Sequence, residues 1–128
     1  MNLSKSSEAA EQEALFRWAA YEIHAMPELS MLFHVPNEGK RSVATGAAMK
    51  RQGLKAGVPD LCLPVPRGGY HGLWIELKAG ANKVTPAQRG WLDALQKQGY
   101  CCAVCYGWTE AVTVVTRYLR LERSYDIP

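Results

Sequence analysis

Three ionisable residues lie in stretches of the sequence that otherwise predict buried β-strands. Asp60 follows a proline in VPDLCLPVP, and Glu76 and Lys78 are two residues apart in LWIELKA. Charged side chains are costly to bury unless they are paired or bind a ligand. Because strand residues alternate between faces, Glu76 and Lys78 share one face with Trp74, about 7 Å apart along the strand. If the two strands form a hairpin, Asp60 reaches that face near Glu76.

Two carboxylates that converge in a partly buried cleft repel each other. The arrangement is stable at neutral pH if one of them is protonated or if a divalent cation lies between them. Magnesium binds in this way, through one or two carboxylates, several waters and a phosphate oxygen of the substrate. A lysine beside such a site supplies a positive charge near a water or a phosphate. The alternative is an exposed strand face with a cross-strand ion pair, which contributes about 0.2–1 kcal/mol.

The elements that must position these residues follow from hydrophobic periodicity and turn signals, which predict the order α, β, α, β, β, α, β, α. We expect Ser7 to cap the first helix and Pro27 to end it. We expect Thr85 to cap the helix in TPAQRGWLDALQKQG and Thr109 to cap the last helix. A hairpin followed by a helical crossover predicts an α/β fold, with a small mixed sheet of about four strands and helices on both faces.

Length and composition predict a single domain over residues 1–128, since 48% of the chain is apolar and fills one core. The formal net charge of +3 is compatible with nucleic-acid binding without arguing strongly for it. No apolar run approaches the roughly 20 residues that cross a bilayer. The amino-terminal segment has no signal-peptide pattern, so we expect an intracellular, cytoplasmic protein without a membrane partner.

The cysteines raise zinc binding as a possibility, because Cys102 and Cys105 form a Cys-x-x-Cys pair. Residues three apart on a strand point to opposite faces, and there is no second half-site to complete four ligands. We therefore expect Cys62, Cys101, Cys102 and Cys105 to be reduced and to pack as small hydrophobic residues.

Two further groups of charged residues are candidates for function. Glu8 and Glu11 lie on the same stripe of the first helix as the apolar Leu15 and Trp18. A basic segment is either a solvated face or an arm that contacts phosphates. It contains Lys40, Arg41, Lys50, Arg51 and Lys55.

The combination GVPDL…GLWIELKAG looks like the bipartite Pro-Asp…Asp/Glu-x-Lys motif of the restriction-endonuclease-like nucleases. More narrowly, the chain resembles the VRR-NUC (virus-type replication–repair nuclease) family. The similar stretches are EQEALFRWA, HVPNEGKRS, GLKAGVPDL, WIELKAGANKVTPAQRGWLDAL and GYCCAVCYGWTEAV. They span almost the whole chain in order, so the expected core is that of a restriction endonuclease.

The resemblance implies a role for each residue of the motif. Asp60 and Glu76 would be the carboxylates that bind Mg²⁺ or Mn²⁺, with the backbone carbonyl of Leu77 as a further ligand. Lys78 would be the catalytic lysine. The basic residues of segment 40–55 would make sequence-independent phosphate contacts.

Two supporting residues are also implied. A glutamate of the first helix would assist the metal site or its waters; Glu11 fits best, and Glu8 and Glu13 remain open. Gln88 would hold a water or a phosphate, its alternative being a solvated residue of the first helical turn. Trp74 either packs beside the site or stacks on a base.

The function implied by the resemblance is that of a metal-dependent DNA endonuclease without an organic cofactor. Small members of the family resemble Holliday-junction resolvases, which implies a homodimer that cuts branched DNA and a phage or prophage gene. The alternative is a non-cleaving nucleic-acid-binding module, against which the intact Asp60, Glu76 and Lys78 argue. A redox protein using Cys102 and Cys105 ranks last, since no glycine-rich dinucleotide motif is present.

Overall fold

The computed structural model describes residues 3–36 and 43–123. The helices are α1 (Leu3–Glu22), α2 (Val43–Arg51), α3 (Pro86–Lys97) and α4 (Trp108–Leu119). The strands are β1 (Phe33–His34), β2 (Leu61–Leu63), β3 (Leu73–Lys78) and β4 (Cys101–Tyr106). A short 3₁₀-helix, Pro27–Met31, connects α1 to β1. The order of helices and strands is the predicted one, with this 3₁₀-helix added.

The four strands form one mixed sheet in the order β1-β2-β3-β4. The pairs β1–β2 and β2–β3 are antiparallel, and β3–β4 is parallel. Parallel neighbours need a crossover connection, and α3 supplies it between β3 and β4. The predicted α/β fold with a small mixed sheet is confirmed.

The hydrophobic core lies on one face of this sheet. Leu73, Ile75 and Leu77 of β3 pack there with Leu15 of α1 and Val115 of α4, and all five are buried. The alternate residues of β3 point to the opposite face, where the helix α3 contributes a side chain that contacts β3. The helices α1 and α4 therefore support the sheet from behind, and α3 borders the face that carries the charged residues.

The ends of α1 differ from the prediction. The helix begins at Leu3, so Ser7 lies inside it, because each added helical residue gains a backbone hydrogen bond once the helix has formed. At the other end, the amides of Ala25 and Met26 both donate to the carbonyl of Glu22 and close the helix there. Pro27 starts the 3₁₀-helix instead of ending α1.

The caps of the two later helices give one confirmed prediction and one correction. Thr85 caps α3, and Pro86 is at its first position. Thr109 does not cap α4, because that helix already begins at Trp108, after Gly107 with φ +93°. The cap comes from α1 instead, since Glu11 Oε2 accepts a hydrogen bond from the Trp108 amide at 2.6 Å. No helix in the described ranges is long and apolar enough to cross a membrane.

Candidate active site

The register between β2 and β3 brings the two motif carboxylates together. Leu61 pairs with Ile75 in the antiparallel ladder, so the preceding residue, Asp60, lies across from Glu76. The strand pairing ends here, and Asp60 Oδ2 accepts a hydrogen bond from the Leu77 amide at 2.7 Å. The side chain of Asp60 thus replaces the missing strand neighbour, and this fixes its position beside β3.

Glu76 is the most unusual group of the site, because a carboxyl group that is only 2% exposed lies next to a second one. Burial is the main cause that raises the pKa of Glu76 to about 9, and the hydrogen bond and charge of Asp60 add to it. The positive charge of Lys78 acts in the opposite direction. Glu76 Oε1 is buried and has no hydrogen-bond partner among the residues that the structure describes. The described residues thus supply no hydrogen-bond donor to this buried carboxyl oxygen.

Lys78 lies two residues beyond Glu76 on the same face of β3 and is 6% exposed. Its ammonium group forms no salt bridge with any carboxylate in residues 3–36 or 43–123. The carbonyl of Lys78 is engaged in the sheet, where it accepts from the Gly107 amide at 2.9 Å. The ammonium group of Lys78 can therefore interact with a ligand, while its backbone is fixed by the hydrogen bond from Gly107.

Leu77 presents its backbone towards the same place. In an antiparallel ladder the N–H and C=O of one residue point to the same side of the strand. Because the Leu77 amide donates to Asp60, the Leu77 carbonyl also faces the side of β2, beyond the last paired residue. An oxygen of the main chain is thus near the two carboxylates, as expected for an additional ligand of a hard cation.

Gln88 is oriented by the start of α3. Its amide N–H donates to Thr85 Oγ1 at 3.2 Å, and its side-chain Oε1 accepts from the Thr85 amide at 2.9 Å. This capping box uses the carbonyl oxygen of the side chain, so the NH₂ group points away from the helix end. It donates to Glu76 Oε2 at 3.3 Å. Gln88 is therefore positioned against the motif glutamate, and its contact is to a carboxylate.

Glu8 and Glu11 of α1 have different partners. Glu11, which the sequence favoured, caps α4 through the Trp108 amide. The negative charge of Glu8 contributes to the raised pKa of Glu76, after burial and the effects of Asp60. Glu8 Oε2 also accepts a hydrogen bond from Asn82 Nδ2. Of the alternatives left open by the sequence, Glu8 is the glutamate with a direct electrostatic effect on the site.

The basic segment is only partly described. Lys50, Arg51 and Lys55 are exposed at the end of α2 and after it. Lys40 and Arg41 lie outside the described residues. Every residue of α2 is at least partly exposed, so the helix presents its basic end to solvent.

Trp74 and the cysteines pack within the fold. Trp74 is half-buried and contacts Tyr100 edge to face, with ring centroids 6.4 Å apart. All four cysteines are in the described part of the chain and carry free thiols. Burial raises the pKa of Cys102 to about 11 and that of Cys105 to about 12, which keeps both protonated near neutral pH.

The residues present fit a divalent cation of the magnesium type. The donor set is two carboxylates and a main-chain carbonyl, all hard oxygens, and one carboxylate oxygen is buried without a partner in the described chain. No cluster of three or more His, Cys, Asp or Glu side chains of metal-binding geometry occurs within the described ranges. A cation here would thus depend on waters and on the substrate's phosphate for its remaining ligands.

Two residues that support this geometry were not singled out in the sequence. Nothing in the local sequence marks Asn82, because its contact with Glu8 joins positions 74 residues apart. Gly57 has φ +87°, and an added Cβ would lie 2.7 Å from the backbone of Ala87 in α3. Because the two backbones come this close, the segment that leads to Asp60 packs against the start of α3. The glycine just before the predicted strand VPDLCLPVP was the only local signal for it.

A mixed sheet with Pro-Asp directly before one strand and Glu-x-Lys on the next defines a small α/β domain of the nuclease type. The VRR-NUC domain family matches residues 6–108, and the chain therefore belongs to the VRR-NUC family. A solved structure described as "VRR_NUC domain protein" is 33% identical, with a TM-score of 0.77 over 91% of this chain and 90% of that chain. A comparison with curated proteins finds no match.

Proposed function

We propose that this protein is a Mg²⁺- or Mn²⁺-dependent endonuclease that hydrolyses phosphodiester bonds of DNA. The observation that carries the proposal is the opposed pair Asp60 and Glu76, in which a buried carboxyl oxygen of Glu76 has no partner in the described chain. Lys78, on the same face, supplies the third element of the motif. Membership of a nuclease-type family supports the same conclusion.

Asp60, Glu76 and the Leu77 carbonyl would hold the cation. When bound, a divalent ion supplies Lewis-acid chemistry, which polarises the phosphoryl oxygen and favours ionisation of a water. The hydrogen bond from the Leu77 amide keeps one oxygen of Asp60 fixed, and this leaves Oδ1 for the ion. Glu76 has the raised pKa of a buried acid, so cation binding requires release of its proton.

Lys78 acts on the reacting groups. Most of the Lys78 side chain is buried, and near the protein interior a positive charge interacts more strongly with a phosphate than it does in bulk water. We assign it to orient the attacking water and to offset the negative charge that grows on the phosphoryl oxygens. Gln88 holds Glu76 Oε2 in place through its NH₂ group.

The substrate side of the proposal rests on charge and on family membership. Lys50, Arg51 and Lys55 form an exposed basic group that would contact phosphates without reading the base sequence. The resemblance to small, Holliday-junction-resolvase-like members of the family implies branched DNA and a homodimer, so we propose a dimer whose two sites act on paired strands, in a phage or prophage setting in the bacterial cytoplasm. Linear duplex, flap and four-way junction substrates, compared with each metal, test this preference.

The decisive experiment is a cleavage assay with the variant Lys78→Met. The parent should nick or cut DNA with Mg²⁺ or Mn²⁺ and stop when EDTA is added. Lys78→Met keeps the length of the side chain but removes the charge, so the rate should fall by about 100-fold or more while DNA binding is retained. Equal rates for Lys78→Met and the parent would refute the assignment, and binding without cleavage under every metal would favour a non-catalytic module.

Lys97 offers a matched control. It is an exposed lysine in the last turn of α3, about 13 Å along the helix axis from Gln88. The variant Lys97→Met removes the same charge from a position away from the site, and it should cleave at the parent's rate.

A further inference from the structure

The chain turns sharply after the motif strand and then touches α1. The Asn82 amide donates to the Ala79 carbonyl at 3.3 Å, and Gly80 takes φ +59° within this turn. The turn directs the side chain of Asn82 to the start of α1, where Nδ2 donates to Glu8 Oε2. A neutral donor thus joins the segment after Lys78 to a helix 74 residues earlier in the sequence.

The carboxylate that Asn82 holds lies near the end of the motif strand. Glu8 is about one helical turn before Glu11, which accepts from the Trp108 amide, and the neighbouring Gly107 amide donates to the Lys78 carbonyl. The negative charge of Glu8 also contributes to the raised pKa of Glu76. Like charges repel, and a half-buried glutamate on the first turns of a helix has rotamers that would carry its carboxylate into water. Keeping Glu8 beside the motif therefore requires a donor that binds it there.

The same segment holds the second carboxylate. Asn82 and Gln88 are six residues apart, and each donates its side-chain NH₂ group to one carboxylate, Glu8 and Glu76 respectively. The capping box at Thr85 fixes the far end of this segment, and the turn at Ala79 fixes the near end. Hydrogen bonds thus fix the segment 79–88 at both ends, and its two side-chain amides contact the carboxylates of Glu8 and Glu76.

We propose that Asn82 is a positioning residue of the metal-binding site, which holds the Glu8 carboxylate on the α1 side of the motif strand. Asn82 acts through Glu8, whose carboxylate would be a hydrogen-bond acceptor for the hydration shell of a cation held by Asp60 and Glu76. This inference rests on the proposed function, because it assigns a role to a partner of the same site. Groups that orient the ligands of a metal commonly change its affinity by about 10- to 100-fold.

The test is Mn²⁺ binding to the metal-free chain by titration calorimetry, together with the cleavage rate. Asn82→Leu has nearly the same size but no donor, and we expect it to weaken Mn²⁺ binding by about tenfold. Asn82→Asp adds a fourth negative charge against Glu8, and its site should lose the orientation of Glu8 as well, so cleavage should fall further than in Asn82→Leu. Ala81→Ser, in the same exposed turn, is the control and should bind and cleave as the parent does.

A double-mutant cycle separates positioning from a structural role. In a Glu8→Ala background, Asn82→Leu should change Mn²⁺ affinity by less than about twofold, because the group through which it acts is gone. Full additivity of the two effects, or parent-like affinity and rate in Asn82→Leu, would overturn the inference. If Asn82→Leu does not fold, as judged by its melting temperature, Asn82→Ser serves for the same cycle.

The parent protein distinguishes this inference from the function on which it rests. A parent that neither binds Mn²⁺ nor cleaves DNA overturns both. A parent that does both, with Asn82 variants that match it, overturns the role of Asn82 alone.

Discussion

Ionisation of Glu76 should destabilise the folded protein as the pH rises. Carboxylates whose pKa is lowered on folding have the opposite effect, because they stabilise the folded state as the pH rises. The pKa of Glu76 rises from the ordinary value of 4.5 to about 9 because the group is buried and hydrogen-bonded to Asp60. The folded chain therefore binds this proton more tightly than the unfolded chain does. The contribution is fully present below pH 4.5, and it is lost progressively as the pH rises towards 9.

The magnitude follows from the width of that window. Each pH unit inside it changes the free energy of unfolding by up to about 1.4 kcal/mol, so the loss between pH 5.5 and pH 8 is at most about 3.5 kcal/mol. We expect about 1–3 kcal/mol, because local rearrangement and water entry reduce the cost of the buried charge. Glu76→Gln presents a neutral amide of the same shape, so it should lack this loss.

The assay is urea denaturation in EDTA from pH 5.5 to pH 8, comparing the parent with Glu76→Gln. The difference between the two unfolding free energies isolates Glu76 from all other titrating groups. The parent should lose stability relative to the variant as the pH rises. Curves that run parallel over this range would refute the assignment of the raised pKa to Glu76.

Metal should reverse the loss, because cation binding replaces the proton on Glu76. At pH 8 and a concentration of 100 times Kd, Mn²⁺ should stabilise the parent by about 2.7 kcal/mol. Glu76→Gln should gain much less, since an amide oxygen is a weaker ligand than a carboxylate. Equal gains in both proteins would place the cation elsewhere.

Three further substitutions test the supports of the site. Thr85→Val should cost about 1 kcal/mol of stability and lower the cleavage rate by releasing Gln88, while Thr85→Ser should retain both properties; an unchanged rate in Thr85→Val would exclude a role for the capping box. Gly57→Ala, at φ +87° and with 2.7 Å to the α3 backbone, should destabilise the fold by more than about 1 kcal/mol in urea titrations; a neutral change would contradict the close packing. Glu11→Ala should cost about 1 kcal/mol through loss of the Trp108 cap and leave Mn²⁺ affinity within about twofold; a larger loss of affinity would return Glu11 to the metal site.

The local sequence was sufficient for the elements that carry the motif. Alternation of apolar and polar residues along LWIELKA assigns each side chain of β3 to a face, because this period depends only on the extended backbone. Thr85 and Pro86 mark the start of α3 for an equally local reason, since the cap and the fixed φ act within one turn. The two short linkers of the hairpin and of the crossover then leave few ways to order the strands.

The supports of the candidate site were decided by the docking of distant elements. Glu8 and Glu11 lie on one stripe of α1, and no local signal separates their roles. Glu11 bonds to the Trp108 amide only because α1 packs against the start of α4. Glu8 bonds to Asn82 only because the chain turns back towards α1 after β3. The cap of α4 was wrongly assigned to Thr109 for the same reason, because its true acceptor lies 97 residues before Trp108 in the sequence.

The sequence by itself thus determined which residues share a strand face, where α3 begins and which carboxylates can meet across a hairpin. These properties follow from backbone periodicity and from contacts within a few residues. The tertiary structure decided that Glu11 caps α4 while Glu8 bonds to Asn82, and that the Gln88 amide contacts Glu76. Such contacts form only when packing of the core has fixed the helices relative to the sheet, and a single hydrogen bond across 74 residues leaves no pattern in the intervening chain.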